Sequence, residues 1–276
     1  MSDLKLARAA EVLSEADAVL IGAGAGMGVD SGLPDFRGDE GFWRAYPPLK
    51  ERGLGFQSMA NPRWFDRDPE LAWGFYGHRL NLYRDTRPHS GFDMLLRHVR
   101  KTRGGYFIFT SNVDGQFQAA GFAPERIVEC HGSIHHLQCV TPCSQTIWTA
   151  DAAAVTVDPD TFRATPPLPL CRKCNTLARP NILMFGDRQF IGDRSYAQEQ
   201  QMGQWLQTLG GKKLAVVECG AGTAVPTVRW QCERLTSELD ATLIRINPRE
   251  AQGPPGTISL AMGAQGALER IDALLQ

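Results

Sequence analysis

The chain has 276 residues, of which 43% are hydrophobic and 21% charged, and its formal net charge at pH 7 is −1. That length is close to the limit of one hydrophobic core, so we expect one large domain with a smaller attached module. The near-neutral charge gives no electrostatic case for nucleic acid or an anionic membrane as the main partner. Since no apolar run approaches the roughly 18 residues needed to span a membrane and the N-terminal stretch lacks a basic leader with a cleavage site, we expect a cytoplasmic protein.

Short β-branched runs alternate with helix-like segments along the chain. The predicted strands are Ala16–Ile21, Tyr106–Thr110, Arg126–Glu129, Asn181–Phe185, Lys213–Cys219 and Ala241–Ile246. The predicted helices are Asp3–Ser14, Pro69–Arg84, Gly91–Arg100, Ser195–Leu209, Val225–Leu239 and Gly263–Leu275. Several strands are apolar throughout, as expected of strands buried on both faces. The alternation predicts a Rossmann-like α/β fold, a mostly parallel sheet with helices on both faces.

Two stretches break this alternation and are predicted to form a small lobe. Residues 39–87 are rich in aromatic residues, proline and glycine, and we interpret them as a helical insertion. Residues 132–179 contain four cysteines and a proline-rich run, and we interpret them as a metal-binding insertion. The Rossmann-like domain would then comprise residues 1–38, 88–131 and 180–276. A ligand crevice is expected between lobe and sheet, at the C-terminal ends of the strands.

A glycine-rich turn, Gly22-Ala-Gly24-Ala-Gly26-Met-Gly28, follows the first predicted strand. Glycines let the backbone approach a phosphate, and a following helix N-terminus favours its negative charge. The dehydrogenase fingerprint requires glycine where Met27 stands and an acidic residue after a second strand, so hydride transfer is disfavoured. A tight turn without a ligand is the alternative interpretation of this segment by itself.

The continuation of this turn resembles the signature of the sirtuin family. Ser31-Gly-Leu-Pro-Asp-Phe-Arg37 is similar to the family's Ser-Gly-Ile-Pro-Asp-Phe-Arg string. Further resemblances follow in order along the chain: Thr110-Ser-Asn-Val-Asp-Gly115, His131-Gly132 after a strand, Asn181-Ile-Leu-Met-Phe-Gly-Asp187, Gly220-Ala-Gly-Thr-Ala-Val-Pro226 and Ile246-Asn247. The resemblance covers almost the whole chain.

This resemblance implies removal of acyl groups from protein lysine side chains with NAD as co-substrate, giving nicotinamide and O-acyl-ADP-ribose. It assigns to NAD binding Gly22, Ala23, Gly24, Asp35, Phe36, Arg37, Ser111, Asn112, Val113, Asp114, Gly220, Ala221, Gly222 and Asn247. His131 would deprotonate a ribose hydroxyl, since an imidazole titrates near neutrality. Asn112 is the second residue assigned to catalysis, and Phe185 and Gly186 would hold the extended substrate.

Four positions depart from the family pattern and leave alternatives open. Ser111 stands where the family has Gln, Gly26 where it has Ser, and Ala221 and Gly222 replace two hydroxyl residues of the phosphate turn. The alternatives are an NAD-consuming ADP-ribosyltransferase or NAD hydrolase, and a catalytically weak NAD-binding sensor. A redox module in which the cysteines act is a third.

The cysteines form two close pairs, Cys139/Cys143 and Cys171/Cys174. Each pair can place two thiolates on one metal from a tight turn, so the spacing predicts one structural zinc without an open position for water. His135 and His136 lie near the first pair and are weighed as alternative ligands. The remaining three cysteines, Cys130, Cys219 and Cys232, stand alone in apolar segments and are predicted to be buried.

Tyr76 and Arg79, in the predicted helix of residues 69–84, resemble the Tyr-x-x-Arg pair of sirtuins that prefer succinyl-, malonyl- or glutaryl-lysine. Positions three apart share one helical face, so a phenol and a guanidinium could bind one carboxylate. A surface arginine beside a half-buried tyrosine is the alternative. Acidic acyl groups are therefore slightly favoured over acetyl, while the protein substrates and the oligomeric state stay open.

Overall fold

The computed structural model describes residues 2–34 and 38–276. Its strands are β1 Ala18–Ala23, β2 Tyr106–Thr110, β3 Ile127–Glu129, β4 Gly132–Cys139, β5 Trp148–Thr149, β6 Thr156–Val157, β7 Ala164–Thr165, β8 Ala178–Ile182, β9 Leu214–Cys219, β10 Thr242–Ile246 and β11 Ile258–Leu260. Its helices are α1 Ser2–Glu15, α2 Gly38–Ala45, α3 Pro47–Glu51, α4 Phe56–Met59, α5 Arg63–Arg67, α6 Pro69–Asp85, α7 Ser90–Val99, α8 Gln116–Ala119, α9 Asp193–Gln207, α10 Thr227–Glu238 and α11 Ala264–Leu275. Among the described residues, no helix is long and apolar enough to cross a membrane.

The main sheet has six parallel strands in the order β11-β10-β9-β1-β2-β3 within the described part of the chain. All residues of β1 and β9 are buried, and the charged Glu218 of β9 forms an ion pair with the buried Arg245. The chain adds β2 and β3 on one side of β1, and later adds β9, β10 and β11 on the other. The strand order therefore reverses at β1, where the connections diverge and open a crevice. The predicted parallel α/β fold is confirmed.

Helices cover both faces of this sheet because each face presents an apolar surface. On one face, α1, α7 and α11 bury residues such as Leu6, Phe92 and Leu268 against the strands. On the other face, α9 and α10 bury residues such as Trp205 and Leu235. The packed helices hold the sheet rigid, so the loops at its C-terminal edge are fixed in position.

A second hydrophobic core forms from residues of both predicted insertions. It is rich in aromatic rings, and Phe42, Tyr46 and Phe75 contact one another with centroids 5.1–5.8 Å apart. The antiparallel sheet β5-β4-β8 and the hairpin β6-β7 complete this lobe. Helix α6 is attached to the cysteine-bearing segment by Arg84, which donates to the carbonyls of residues 150 and 153. These hydrogen bonds hold the C-terminal end of the helix in place within the lobe.

Several elements differ from the sequence-based prediction. The strand predicted at Asn181–Phe185 is β8, Ala178–Ile182, and it pairs antiparallel with β4 in the lobe. β4 was not predicted, although it is eight residues long, and neither was β11 in the main sheet. β11 has three residues after a Pro/Gly-rich stretch, so it is too short for a hydrophobic period and depends on pairing with β10.

Candidate active site

A cleft of about 1560 Å³ lies between the C-terminal edge of the parallel sheet and the small lobe. The loops after β1, β2, β3 and β9 line it on the sheet side, and α4, α6 and the segment after β8 line it on the lobe side. Of the residues predicted for the site, the lining includes Gly24, Ser111, Asn112, Val113, Asp114, His131, Gly220, Ala221, Gly222, Tyr76, Arg79, Phe185 and Gly186. Most of the predicted site is therefore brought together in one cavity.

The turns after β1 and β9 touch each other at their glycines. Gly24 donates its main-chain N–H to the Cys219 carbonyl at 3.0 Å, and Gly26 donates to the Gly220 carbonyl at 3.0 Å. A Cβ on Gly24 would lie 2.6 Å from Ala221 Cα, and Gly220 has φ +65°. Only glycine allows this approach.

The crossing turns present main-chain amides to the cleft. Among the described residues, the N–H groups of Ala221 and Gly222 donate no hydrogen bond, and both residues line the cavity. Ala221 is 2% exposed. Buried amide donors without a partner are suited to binding phosphate oxygens. This geometry fits the diphosphate of a dinucleotide.

Three residues predicted to bind the cofactor lie behind the cleft wall. Gly22 and Ala23 are buried in β1, and a Cβ on Gly22 would lie 2.3 Å from Cys232 Sγ. Asn247 is buried, donates to the Ala221 carbonyl at 2.9 Å, and accepts from the main-chain amides of residues 249 and 250. Gly22, Ala23 and Asn247 therefore hold the two glycine turns in place and do not line the cavity. The predicted residues Asp35, Phe36 and Arg37 lie outside the described residues.

His131 and Ser111 lie at neighbouring strand ends. His131 follows β3, and burial lowers the pKa of its imidazole, while a hydrogen bond to the Ser111 main chain raises it. Asn112 donates its side-chain N–H to the Gly24 carbonyl at 3.0 Å, which connects the loop after β2 to the first glycine turn. A neutral imidazole beside a polar loop is the arrangement that proton removal from a hydroxyl requires.

Asp114 is a half-buried residue that lines the cleft. Burial raises the pKa of Asp114 to about 6, against the opposing effect of a hydrogen bond from the Gln116 amide, at 2.9 Å. Its neighbour Val113 is buried and accepts from the Ile134 amide at 3.0 Å. The Asp114 carboxyl can therefore change its protonation state near neutral pH.

Helix α6 presents Tyr76, Arg79 and Tyr83 to the lobe side of the cleft. The Arg79 guanidinium donates from Nε and Nη2 to the Tyr83 hydroxyl at 2.9 and 2.8 Å. The Tyr76 hydroxyl is buried and has no hydrogen-bond partner among the described residues. Burial raises the pKa of Tyr76, so this phenol stays protonated and able to donate. Tyr76 and Arg79 are therefore buried at the cavity wall and are not exposed on the protein surface.

The segment after β8 also lines the cleft on the lobe side. Phe185 donates its amide to the Ala60 carbonyl at 2.9 Å and accepts from the Asn61 side chain at 2.9 Å. Its main chain is therefore bound to the lobe, whereas the Gly186 amide makes no hydrogen bond among the described residues. Beneath this segment, Arg179 and Asp187 form a fully buried ion pair at 2.6 Å.

The four paired cysteines cluster away from the cleft. The Sγ atoms of Cys139, Cys143, Cys171 and Cys174 all lie within 4.8 Å of one another. The distances Cys139–Cys174 and Cys143–Cys171 are 3.6 and 3.7 Å. A tetrahedral zinc with Zn–S bonds of about 2.3 Å separates its sulfurs by about 3.8 Å, so the cluster fits one zinc ion.

The two histidines near the first cysteine pair are not part of this cluster. His135 Nε2 hydrogen-bonds the Asp114 carbonyl at 2.8 Å, and the Nδ1 atom of His136 is buried without a partner among the described residues. Of the other cysteines, Cys219 and Cys232 are buried, while Cys130 is half-buried.

Several cleft residues were missed by sequence reasoning. They are Gly55, Phe56, Gln57, Ser58, Tyr83, Met184, Arg188, Val228, Arg249 and Glu250. Tyr83 had a usable signal, because it lies four residues after Arg79 and therefore on the same helical face. Val228 lies in the first turn of α10, and the others lie on loops and a short helix whose course the sequence pattern does not indicate.

Comparisons with known proteins agree with this geometry. The model of the Sir2 family matches residues 24–211. An NAD-dependent protein deacylase of Leptospira interrogans is 28% identical over 229 residues, which cover 83% of this chain and 80% of that protein. A second, from Aquifex aeolicus, is 27% identical over 231 residues and covers 82% of both chains. The crystal structure of a Sir2 homologue in complex with NAD has a similar fold, with TM-score 0.70 and 24% identity over 97% of this chain and 93% of that one.

Proposed function

The chain belongs to the Sir2 family, and on that premise we propose that it removes acyl groups from protein lysine side chains and consumes NAD in doing so. One observation carries the proposal. The main-chain amides of Ala221 and Gly222, which donate no hydrogen bond within the described part of the chain, line the same cleft as the imidazole of His131. A diphosphate bound at the glycine turns would therefore lie in the same cavity as the base, with Ser111 and Asn112 in the loop between them. The curated relatives named above are NAD-dependent protein deacylases.

NAD would supply a ribose carbon activated by loss of nicotinamide, to which the acyl oxygen adds. His131 would accept the proton of a ribose hydroxyl, and its lowered pKa keeps the imidazole neutral and able to do so. Ser111, bonded through its main chain to this imidazole, would orient it. The lobe covers the cleft, which limits competition from water.

The test is an assay with NAD and acyl-lysine peptides that quantifies nicotinamide, O-acyl-ADP-ribose and free ADP-ribose. We expect nicotinamide and O-acyl-ADP-ribose in equal amounts. Free ADP-ribose or ADP-ribosylated protein instead would favour the hydrolase or transferase alternative. NAD binding without nicotinamide release in a single turnover would favour the sensor alternative, for which Ser111 and Gly26 are the motivating residues.

We further propose that acidic acyl groups, succinyl or malonyl, are preferred over acetyl. Arg79 and the protonated hydroxyl of Tyr76 both line the cleft on one face of α6, and both are buried. A guanidinium and a phenol donor can together bind one carboxylate, and the interaction is stronger in a buried site than in water. An acetyl group offers neither of them an acceptor at its methyl end.

The preference is tested with Arg79→Met. We expect the ratio of kcat/KM for succinyl-lysine to that for acetyl-lysine to fall about tenfold or more, mainly through KM. Arg84→Met is the matched control, because Arg84 lies on the same helix but bonds the carbonyls of residues 150 and 153. An unchanged ratio in Arg79→Met would refute the carboxylate site.

We also propose that the cysteine cluster holds one structural zinc. The geometry of the four thiols supports it, and a closed four-sulfur site leaves no coordination position for a reactant. We also propose that the protein is cytoplasmic and that its partners are acylated protein lysines.

A further inference from the structure

Arg229 lies in the first turn of α10 and connects the turn after β9 to the loop after β10. Its Nη1 atom donates to the carbonyls of Ala221 at 3.4 Å and Glu250 at 2.8 Å, and its Nη2 atom donates to the Gln252 carbonyl at 2.8 Å. Arg229 is 9% exposed and lies behind the residues that line the cavity. We infer that Arg229 is a positioning residue of the dinucleotide site, which orients the amides of the turn after β9 toward the diphosphate. The inference rests on the proposed binding of NAD at the glycine turns.

The peptide unit between Ala221 and Gly222 is the part of the turn that Arg229 orients. Its carbonyl oxygen accepts from Arg229 Nη1 and, at 2.9 Å, from the side-chain amide of Asn247. In a planar trans peptide unit, the C=O and N–H bonds point in opposite directions. Because the carbonyl is held on the side of Arg229 and Asn247, the Gly222 N–H faces the cleft that Gly222 lines. Two buried donors on one carbonyl therefore fix the direction of an amide that would meet a phosphate oxygen.

The loop after β10 is itself held in place and supports this contact. The Gln252 carbonyl also accepts from Arg245 Nη1 at 2.7 Å, and the fully buried Arg245 forms an ion pair with Glu218 of β9 at 2.6 Å. At the start of the loop, the Asn247 side-chain oxygen accepts from two amides further along the loop, both at 3.0 Å. Arg229 therefore joins the turn after β9 to a segment that is bonded to the main sheet at both ends.

The composition of the turn explains why such support matters for binding. Ala221 and Gly222 have no side-chain donor, so these two positions offer a phosphate their main-chain amides. Glycine has more backbone freedom than any other residue, and the Gly222 amide would lose that freedom on binding a phosphate. Arg229 restricts the turn in the unliganded protein, which favours binding of the diphosphate. Its guanidinium also places a positive charge beside the turn, so geometry and charge need separate tests.

The experiment measures ADP-ribose binding by calorimetry, and KM for NAD and for the acyl-lysine peptide that the wild-type protein deacylates fastest. We expect Arg229→Met to weaken ADP-ribose binding about five- to twentyfold, because the peptide unit of the turn is no longer held. The KM for NAD should rise by a similar factor. The peptide KM, and kcat at saturating NAD, should change by less than about twofold, since Arg229 acts on the diphosphate site alone.

Arg229→Lys separates the geometry from the charge. Lysine keeps the positive charge, but its ammonium group cannot replace the planar fork that bridges three carbonyls. We therefore expect ADP-ribose binding in Arg229→Lys to stay weakened by at least about threefold. Wild-type affinity in this variant would show that the charge suffices and would overturn the inference. Arg229→Lys also serves as the test if Arg229→Met does not fold, which circular dichroism would show.

Arg84→Met is the matched control, since Arg84 also donates from a helix to two main-chain carbonyls, but within the lobe. It should keep wild-type affinity for ADP-ribose, and a loss equal to that of Arg229→Met would overturn the inference. Unchanged affinity in Arg229→Met would overturn it too, as would equal rises in KM for NAD and peptide, which indicate a general structural role. Wild-type protein that binds ADP-ribose without deacylating would refute the proposed function, while the affinities would still decide the role of Arg229. Wild-type protein that does not bind ADP-ribose would overturn both.

Discussion

At the scale of single residues, burial sets the protonation states in the cleft. It lowers the pKa of the His131 imidazole and raises that of the Asp114 carboxyl group to about 6. A neutral imidazole can accept a proton. A carboxyl group whose pKa is raised by burial destabilises the folded state when it is ionised. Two predictions follow from these shifts.

Replacing His131 by alanine should abolish deacylation, with a loss of roughly 10²-fold or more in kcat, because the variant lacks the imidazole that would accept the proton of the ribose hydroxyl. NAD binding measured by calorimetry should be largely retained, since the amides of the glycine turns are intact. His98→Ala is the control, because His98 bonds the Leu13 carbonyl far from the cleft. Retained turnover in the His131 variant would reject the assignment of the base.

Asp114→Asn should stabilise the protein at pH 8 by about 2 kcal/mol. Because the pKa of Asp114 is higher in the folded state than in the unfolded state, its favourable contribution is fully present below the unfolded value. That contribution is lost as pH rises through about 6. Urea unfolding at pH 4 and pH 8 measures the difference. If Asp114→Asn stabilised the protein as much at pH 4 as at pH 8, this would contradict the raised pKa of Asp114.

At the scale of elements, the two glycine turns act as one unit. The turn after β1 and the turn after β9 exchange main-chain hydrogen bonds at the point where the strand order reverses. A side chain at either glycine would push the turns apart. The cofactor site therefore depends on contact between two elements that are almost 200 residues apart in the chain.

Gly220→Ala should destabilise the protein by at least about 2 kcal/mol more than Gly211→Ala. Both glycines have positive φ, +65° and +75°, so both variants carry backbone strain. A Cβ at Gly220 would also lie 2.3 Å from the Gly26 and Met27 backbone, whereas nothing lies within 4 Å at Gly211. Denaturant midpoints measure the difference, and equal losses would show that the turns can separate freely.

At the scale of the whole molecule, two hydrophobic cores are stabilised in different ways. The parallel sheet is covered by five long helices, whereas the lobe has short strands and many loops. A lobe of this kind needs a cross-link, and the four-cysteine cluster offers a site for it. The division into residues 1–38 with 88–131 and 180–276, 39–87, and 132–179 stays a prediction.

Cys171→Ser should release the zinc and unfold the lobe while the parallel sheet stays folded. Metal content and tryptophan fluorescence measure both effects, since the buried Trp64 and Trp73 belong to the lobe core. Cys130→Ser is the control, because Cys130 lies outside the cluster. A metal-free variant with an unchanged lobe would refute a structural role for the ion.

The sequence by itself determined the fold class, the family and part of the cleft lining, including the glycine turns and His131. Parallel strands that are buried on both faces can be recognised in the sequence as apolar runs. Close contact with a dinucleotide permits few residue types, which produces short glycine-rich strings such as Gly22 to Gly28. The two cysteine pairs are equally local, because each pair lies within one turn. These signals can be recognised in the sequence because residues close together in the chain carry them.

Only the tertiary structure decided which of those residues line the cleft and which support it. Gly22, Ala23 and Asn247 lie behind the wall, and Tyr83 joins Arg79 at its surface, because these positions depend on how distant elements pack. β11 likewise forms by pairing with β10, and β8 joins β4 in the lobe. Such contacts connect residues that are far apart in the chain, so no local sequence pattern indicates them.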